Sequence, residues 1–480
     1  MPPRVILMVF DGLRPDMVTP ELAPNLTRFG DAGSRFPMSR ATFPTETRVN
    51  CASLATGCRP GRHGIVANVF HAPDAIAGRP LSTGTMEDLE ALSAASGGRL
   101  LDVPSLGERL AQAGLSLAVV STGTIGSSII LHHEAERLGQ FRWSSHGRRY
   151  STAKAEPAFE RFGEPPKAGL PNTARIDHAM TVLIDHVLGE IAPDVALFWS
   201  SDPDSTYHYR GIGSPEARAS IQGADAAFAR LVSWWVAEGR DAGTQIICLS
   251  DHGHITGREK ISTSDLMRAA GFKVGPAFDA DTDIVLAPSG PIGLTFRDPA
   301  QAARVVDWLK EQPWCGLLFS TARNEIEGAA EGSFAMPLSG IDHARAPHLY
   351  FTLADDDELD ANGIAGTCIM DANLPLFGGT HGNLHPRELN NVLIAGGDAF
   401  RERYGSPFAA GIVDIVPTVL HLLGLPPADV DGRVLIEAMS RGETPGEAKR
   451  LIHEVSDGGF RRRLDRQRTG ATFYLDGGYA

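Results

Sequence analysis

The residues best suited to chemistry are three aspartates, three histidines and a hydroxyl, scattered between positions 11 and 381. Asp11 stands in Phe10-Asp11-Gly12-Leu13-Arg14-Pro15, directly after an apolar run and before a glycine turn. A carboxylate at a strand end can point into a crevice and bind a hard cation, although alone it would equally serve as a helix cap. Thr45 and Thr47 precede a helix-like stretch that closes at Thr56-Gly57. Either hydroxyl could start that helix, where free backbone N–H groups and the positive helix end favour an oxyanion. That field contributes about 0.3–2 kcal/mol, too little to activate a threonine unaided, so the oxygen needs a metal on it.

Asp204 and His208 are one helical turn apart, so both can face one ion. Asp251 and His252 are adjacent after another apolar run, with Gly253 free to make a sharp turn. His381 lies in Gly379-Thr380-His381-Gly382, where the glycines permit a close approach. Each signal is weak alone, because caps and turns use the same residues. Jointly they place carboxylates and imidazoles on one rim. Such a donor set suits zinc, and also manganese or iron. Two divalent metal ions about 4 Å apart could activate the nucleophile and stabilise the leaving oxygen of an in-line displacement.

The elements that must position these groups are short, continuous apolar runs: Val5–Phe10, 116–120, 195–199, Gln245–Leu249 and 391–395. Uninterrupted Val/Ile/Leu suits strands covered on both faces. Their alternation with helical stretches at 173–191 and 215–238 predicts an α/β/α sandwich with a central, mostly parallel sheet. Ligands of such sheets bind beyond the carboxyl ends of the strands, where Asp11, Asp204 and Asp251 fall. The expected organisation is a catalytic core over 1–255 and 381–435, an inserted cap over 256–380, and a C-terminal appendage over 436–480. Within the cap, Asp298 is expected to cap a helix beginning at Pro299.

The chain has 480 residues, 42% hydrophobic and 21% charged, with a formal net charge of −14. That balance argues against binding a nucleic-acid polymer or an anionic membrane. The five cysteines form neither a disulfide framework nor a CxxC zinc ribbon. The first apolar run is too short to span a bilayer and lacks a signal-peptide layout, which makes the cytoplasm the expected location.

With Thr47 followed by Asn50 and Thr56-Gly57, Asp204 by His208, and Asp251-His252 by His381, the chain resembles the nucleotide pyrophosphatase/phosphodiesterase family of the alkaline-phosphatase superfamily. Segments 5–65, 195–255, 376–396 and 411–435 carry the likeness. It implies Thr47, not Thr45, as nucleophile, with the Asn50 amide on a phosphoryl oxygen. It implies one zinc held by Asp11, Thr47, Asp251 and His252, and a second by Asp204, His208 and His381. Asp202 falls outside the spacing. A small-molecule phosphodiester or pyrophosphate would be hydrolysed through a phospho-threonine. A phosphonoacetate-hydrolase-like C–P hydrolase or a phosphomonoesterase on the same metals is the alternative, and a non-catalytic homologue a third. Cys58-Arg59-Pro60-Gly61-Arg62 matches a sulfatase signature but follows Thr56-Gly57, where sulfatases place it before. Nucleotide-cleaving relatives carry Phe after the nucleophile. Here that residue is Arg48, and Trp199 is expected as the facing aromatic, so a guanidinium would stack on the indole or grip an anionic substituent. Arg210, Arg258 and Lys260 are further candidate cations. His254 stands where relatives often have Met, either supporting a ligand from behind or serving the turn.

Overall fold

The computed structural model describes residues 4–480. Its central sheet has eight strands in the order Tyr404–Gly405, Ser34–Arg35, Leu393–Gly396, Gln245–Leu249, Val5–Phe10, Val195–Ser200, Leu117–Ser121, Phe141–Ser144. Val5–Phe10 runs parallel to both neighbours, and the parallel run continues out to Phe141–Ser144. Leu393–Gly396 is antiparallel to Gln245–Leu249, so the sheet is mostly parallel, as the apolar runs predict.

Every residue of Val5–Phe10, Leu117–Ser121, Val195–Ser200 and Gln245–Leu249 is buried. The physical reason is the layer on each face. Val5, Leu7 and Val9 pack with Leu54 and Val416 on one side, and Ile6, Met8 and Phe10 with Leu183 and Phe228 on the other. Helix Thr173–Thr181, prolonged as a π-helix over Val182–Ile191, and helix Pro215–Trp234 supply the second layer. Helices Thr47–Thr56 and Ile415–Leu422 supply the first. Each buried aliphatic side chain there contributes about 1.5–3 kcal/mol.

Register sets the site. Phe10 lies opposite Ser200, and Val9 opposite Leu249, so the chain leaves three adjacent strands at one edge. Beyond that edge stand a six-stranded sheet between Val274–Gly275 and Leu349–Leu353, with its own apolar core, and a four-stranded sheet that includes Ile255–Lys260 and Gly379–Thr380. Asp298 accepts from the Ala300 amide at 3.0 Å and opens a 3-10 turn leading into helix Ala302–Lys310. The polar C-terminal segment forms an antiparallel sheet of Ala448–Asp457, Phe460–Thr469 and Thr472–Tyr479. It is tied to the core where the Tyr474 hydroxyl donates to buried Asp414 at 2.8 Å. No helix among the described residues is long and apolar enough to cross a membrane.

Candidate metal centre

Asp11 follows Val5–Phe10 directly, Asp204 begins helix Asp204–Arg210 after Val195–Ser200, and Asp251 follows Gln245–Leu249 after one residue. Their side chains form two neighbouring groups of possible ligands, Asp11, Asp251 and His252 in one, and Asp204, His208, His254 and His381 in the other. In the first group His252 Nε2 lies 3.1 Å from Asp251 Oδ2 and 3.7 Å from Asp11 Oδ1. In the second, Asp204 Oδ1 lies 3.2 Å from His208, 2.9 Å from His254 and 3.4 Å from His381, each through Nε2. The His252 and His381 rings stack with centroids 3.7 Å apart, which joins the groups.

The arrangement suits cations. Asp11 Oδ1 and Asp251 Oδ2 are buried without a hydrogen-bond donor, an expensive state for carboxylate oxygens unless a positive ligand meets them. Burial, then the charges of Asp251 and Asp204, raises the Asp11 carboxyl well above its usual range. Burial, then the charge of His252, lowers the His381 imidazole to about 4, and burial also lowers His254. Those two neutral rings keep a lone pair for a metal, whereas, against the effect of burial, Asp204 raises His208 and Asp251 raises His252. The far ring nitrogens are fixed, with His208 Nδ1 2.7 Å from the Gly379 carbonyl and His381 Nδ1 2.7 Å from the Thr45 carbonyl. Such outer contacts set the orientation of ligating imidazoles.

Thr47 is the first residue of helix Thr47–Thr56, with Glu46 at the cap position. Its Oγ1 lies 3.2 Å from His252 Nε2, which places the hydroxyl on the first ligand group. Thr45 is turned elsewhere; its hydroxyl donates to the Asn383 carbonyl and accepts from the Gly382 amide. Asp202 is likewise outside the groups, accepting from the Asn172 amide and the Thr206 hydroxyl. Cys58 is buried beyond the far end of the Thr47 helix, about 15 Å of helix away from the hydroxyl at 1.5 Å per residue.

Two expectations need correction. Asn50 is fully buried and absent from the cavity wall. Its Nδ2 donates to the Thr42, Pro44 and Glu46 carbonyls, and its Oδ1 accepts from Thr42. The irregular 42–46 segment leaves those carbonyls to be satisfied, so the amide braces the approach to Thr47 and does not face a phosphoryl oxygen. Trp199 is also fully buried and forms no wall for a substrate. Its indole N–H donates to Asp11 Oδ2 at 3.0 Å, fixing a ligand carboxylate from beneath.

His254 is the ligand-group member that sequence reasoning left undecided. It is two residues beyond His252 in an extended stretch, and alternate side chains of such a stretch share a side. That signal was available. Room for its ring comes from Gly12, whose φ is +69° and where a Cβ would lie 2.6 Å from His254 Nε2.

The centre opens into a cavity of about 1010 Å³ lined by Thr47, Arg48, Asp204, His208 and His381. Glu46 secures its wall: the buried carboxylate accepts from the Asn68 amide, from the Ser289 hydroxyl and, at 2.6 Å, from the Gly290 amide. Arg48 and Arg210 line the cavity. Arg258 pairs with Asp356 and Lys260 donates to the carbonyl of Leu374 at the cavity rim; neither is itself a lining residue.

The family model described as type I phosphodiesterase / nucleotide pyrophosphatase matches residues 5–356. The chain is 40% identical over 72 residues to bis(5'-adenosyl)-triphosphatase enpp4 of Xenopus laevis, a stretch covering 15% of this chain and 16% of that protein. It is 23% identical over 270 residues to venom phosphodiesterase 2 of Crotalus adamanteus, covering 56% of this chain and 28% of the relative. The chain thus spans less than a third of the length of these curated relatives. Murine ectonucleotide pyrophosphatase / phosphodiesterase 5 superposes with a TM-score of 0.64 at 16% identity, over 91% of this chain and all of that one. Its inactive form in complex with AMP gives 0.64 at 17% identity, with the same coverage. By the family model's span, this chain belongs to the type I phosphodiesterase / nucleotide pyrophosphatase family.

Proposed function

We propose that the protein hydrolyses phosphodiester or pyrophosphate bonds of small molecules, with Thr47 as nucleophile and two divalent cations, zinc by preference of the donor set. The supporting observation is the position of Thr47 Oγ1, 3.2 Å from His252 Nε2 at the edge where Asp11, Asp251 and Asp204 converge. Asp11, Asp251, His252 and Thr47 would hold one cation, and Asp204, His208 and His381 the other, with His254 within reach of the second. When bound, such cations supply Lewis acidity, which favours an oxyanion at neutral pH and offsets charge on a phosphoryl group.

This chain's residues then do the following. The start of helix Thr47–Thr56 presents Oγ1 in the field of the positive helix end. Oγ1 attacks phosphorus, an Oγ1–P bond forms, the bond to the leaving oxygen breaks, and the hydroxyl proton passes to solvent. Water next attacks the phospho-threonine, restoring the Thr47 hydroxyl and releasing the phosphoryl product. Asn50 and Glu46 keep the turn before Thr47 in place, and Trp199 holds Asp11.

The test is hydrolysis of bis-p-nitrophenyl phosphate by zinc-supplemented protein, alongside Thr47→Ala. The wild type should turn over and yield an acid-stable phosphoryl adduct on Thr47. The variant should be inactive with its metal retained. Undiminished turnover by Thr47→Ala would overturn the mechanism. A phosphomonoester or C–P substrate on the same groups is the second reading, favoured by Arg48 at the cavity wall.

A further inference from the structure

The cavity wall beside Thr47 carries a guanidinium with no direct ion-pair partner among the described residues. Arg48 follows the nucleophile directly and is rigidly held. Its backbone N–H donates to Asn68 Oδ1 at 3.2 Å, and its Nε–H donates to Thr83 Oγ1 at 3.0 Å. Thr83 is fully buried and in turn donates to the Asn68 carbonyl at 2.9 Å. These are the hydrogen bonds Arg48 makes among the described residues, so neither terminal nitrogen has a hydrogen-bond partner, and the residue lines the cavity.

No carboxylate among the described residues forms an ion pair with Arg48. Glu46, the nearest in sequence, spends its oxygens on Asn68, Ser289 and Gly290. Burial apart, Glu46 is the strongest charge acting on it through space, with Asp11 and Asp204 weaker; the Glu46 oxygens are already committed, and the two aspartates are the carboxylates offered to cations. Arg175 on the same cavity donates to the Pro166 carbonyl and likewise lacks an acidic partner. In a chain of net charge −14, leaving two such arginines unpaired around one cavity is a specific arrangement. Burying a guanidinium without a counter-charge is costly, and a fixed planar fork is matched to two oxygens of one oxyanion.

We infer that Arg48, anchored through Thr83 and Asn68, forms a subsite for a second oxyanion of the substrate, a carboxylate or phosphate group carried next to the reacting phosphoryl group. This rests on Thr47 being the attacking residue, since the subsite is defined relative to it. The favoured substrates are therefore compact molecules with two acidic groups, in preference to esters whose remaining parts are neutral.

Binding, not turnover, tests this. In zinc-loaded Thr47→Ala protein, calorimetric titration compares methylphosphonate, phosphonoacetate and methylenediphosphonate, which differ in the second group. One or both double anions should bind about 10- to 100-fold more tightly than methylphosphonate, as expected of a charge-assisted pair. A gain for phosphonoacetate alone identifies a carboxylate site, for methylenediphosphonate alone a phosphate site, and for both a general oxyanion site. Adding Arg48→Met should erase the preference, and Arg48→Lys should keep part of it. Thr83→Val, which removes the Nε acceptor together with its own bond to the Asn68 carbonyl, should also weaken it, and serves if Arg48→Met does not fold. Equal affinities for the three ligands, or a preference that survives Arg48→Met, would refute the subsite. Failure of the hydrolase reading looks different: no turnover of any phosphoester by the wild type, with the ligand preference intact.

Discussion

The two ligand groups are built from different material. Asp11, Asp251 and His252 come from the ends of adjacent central strands, and all three are buried, with Thr47 reaching in from a helix start. Asp204, His208, His254 and His381 come from a helix, a turn and a loop, and three of the four are only partly buried at the cavity. Parallel-strand register fixes the first group, whereas the second depends on segments far apart in the chain meeting at Asp204. The first also has three donors besides the hydroxyl, while the second has four. The difference teaches that the deeper group is shaped to meet the Thr47 hydroxyl, and that the outer one offers more donors to a cation at the cavity.

Substitutions can break that asymmetry, beginning with the largest effect. Thr47→Ala should lower kcat by roughly a thousandfold or more while metal content, read by elemental analysis, stays unchanged. Asp204→Ala removes the oxygen on which three imidazoles converge. It should cost roughly a hundredfold in activity and lower the metal stoichiometry, leaving the first group's cation in place. Loss of both cations together would merge the two groups into one cooperative unit. His254→Met should weaken the outer site about 10- to 100-fold in metal affinity, measured by competition with a chelator. Unaltered affinity would make His254 a neighbour of Asp204 and no more. Trp199→Phe keeps the packing and deletes one hydrogen bond to Asp11. An effect of about 0.5–1.5 kcal/mol should appear as a roughly 2- to 10-fold rise in KM for zinc-dependent activation, confined to the first group.

Much of this was legible in the sequence. Val5–Phe10, Val195–Ser200 and Gln245–Leu249 are covered on both faces, and that burial demands the continuous apolar runs seen there. Asp11 and Asp251 follow from those strands, because a chain leaving a parallel strand must do so at one edge. The spacing to Asn50 and Thr56-Gly57 distinguishes Thr47 from Thr45, and the two hydroxyls have different partners. The failures share a cause. Strand burial shows that Trp199 is inside, but not that its N–H aims at Asp11, since that depends on a neighbouring strand's carboxylate. Asn50 sits at the expected position, yet the carbonyls of an irregular five-residue approach claim its amide. His254 is harder to read because a two-residue period in so short an extended stretch carries less signal than the i, i+4 pair of Asp204 and His208.

Glu46 has a mechanical meaning beyond the cavity wall. One carboxylate collects the Asn68 amide, the Ser289 hydroxyl and the Gly290 amide, and its own backbone leads straight into Thr47. Gly290 in turn meets Gly382 so closely that a Cβ on it would stand 2.3 Å from the Gly382 Cα, one residue from His381. The six-stranded sheet, the Thr47 segment and the His381 loop are thus riveted at one point. Hydrogen–deuterium exchange should find the Asn68 and Gly290 amides opening together, as a single unit whose release loosens reactive residue and ligand loop at once.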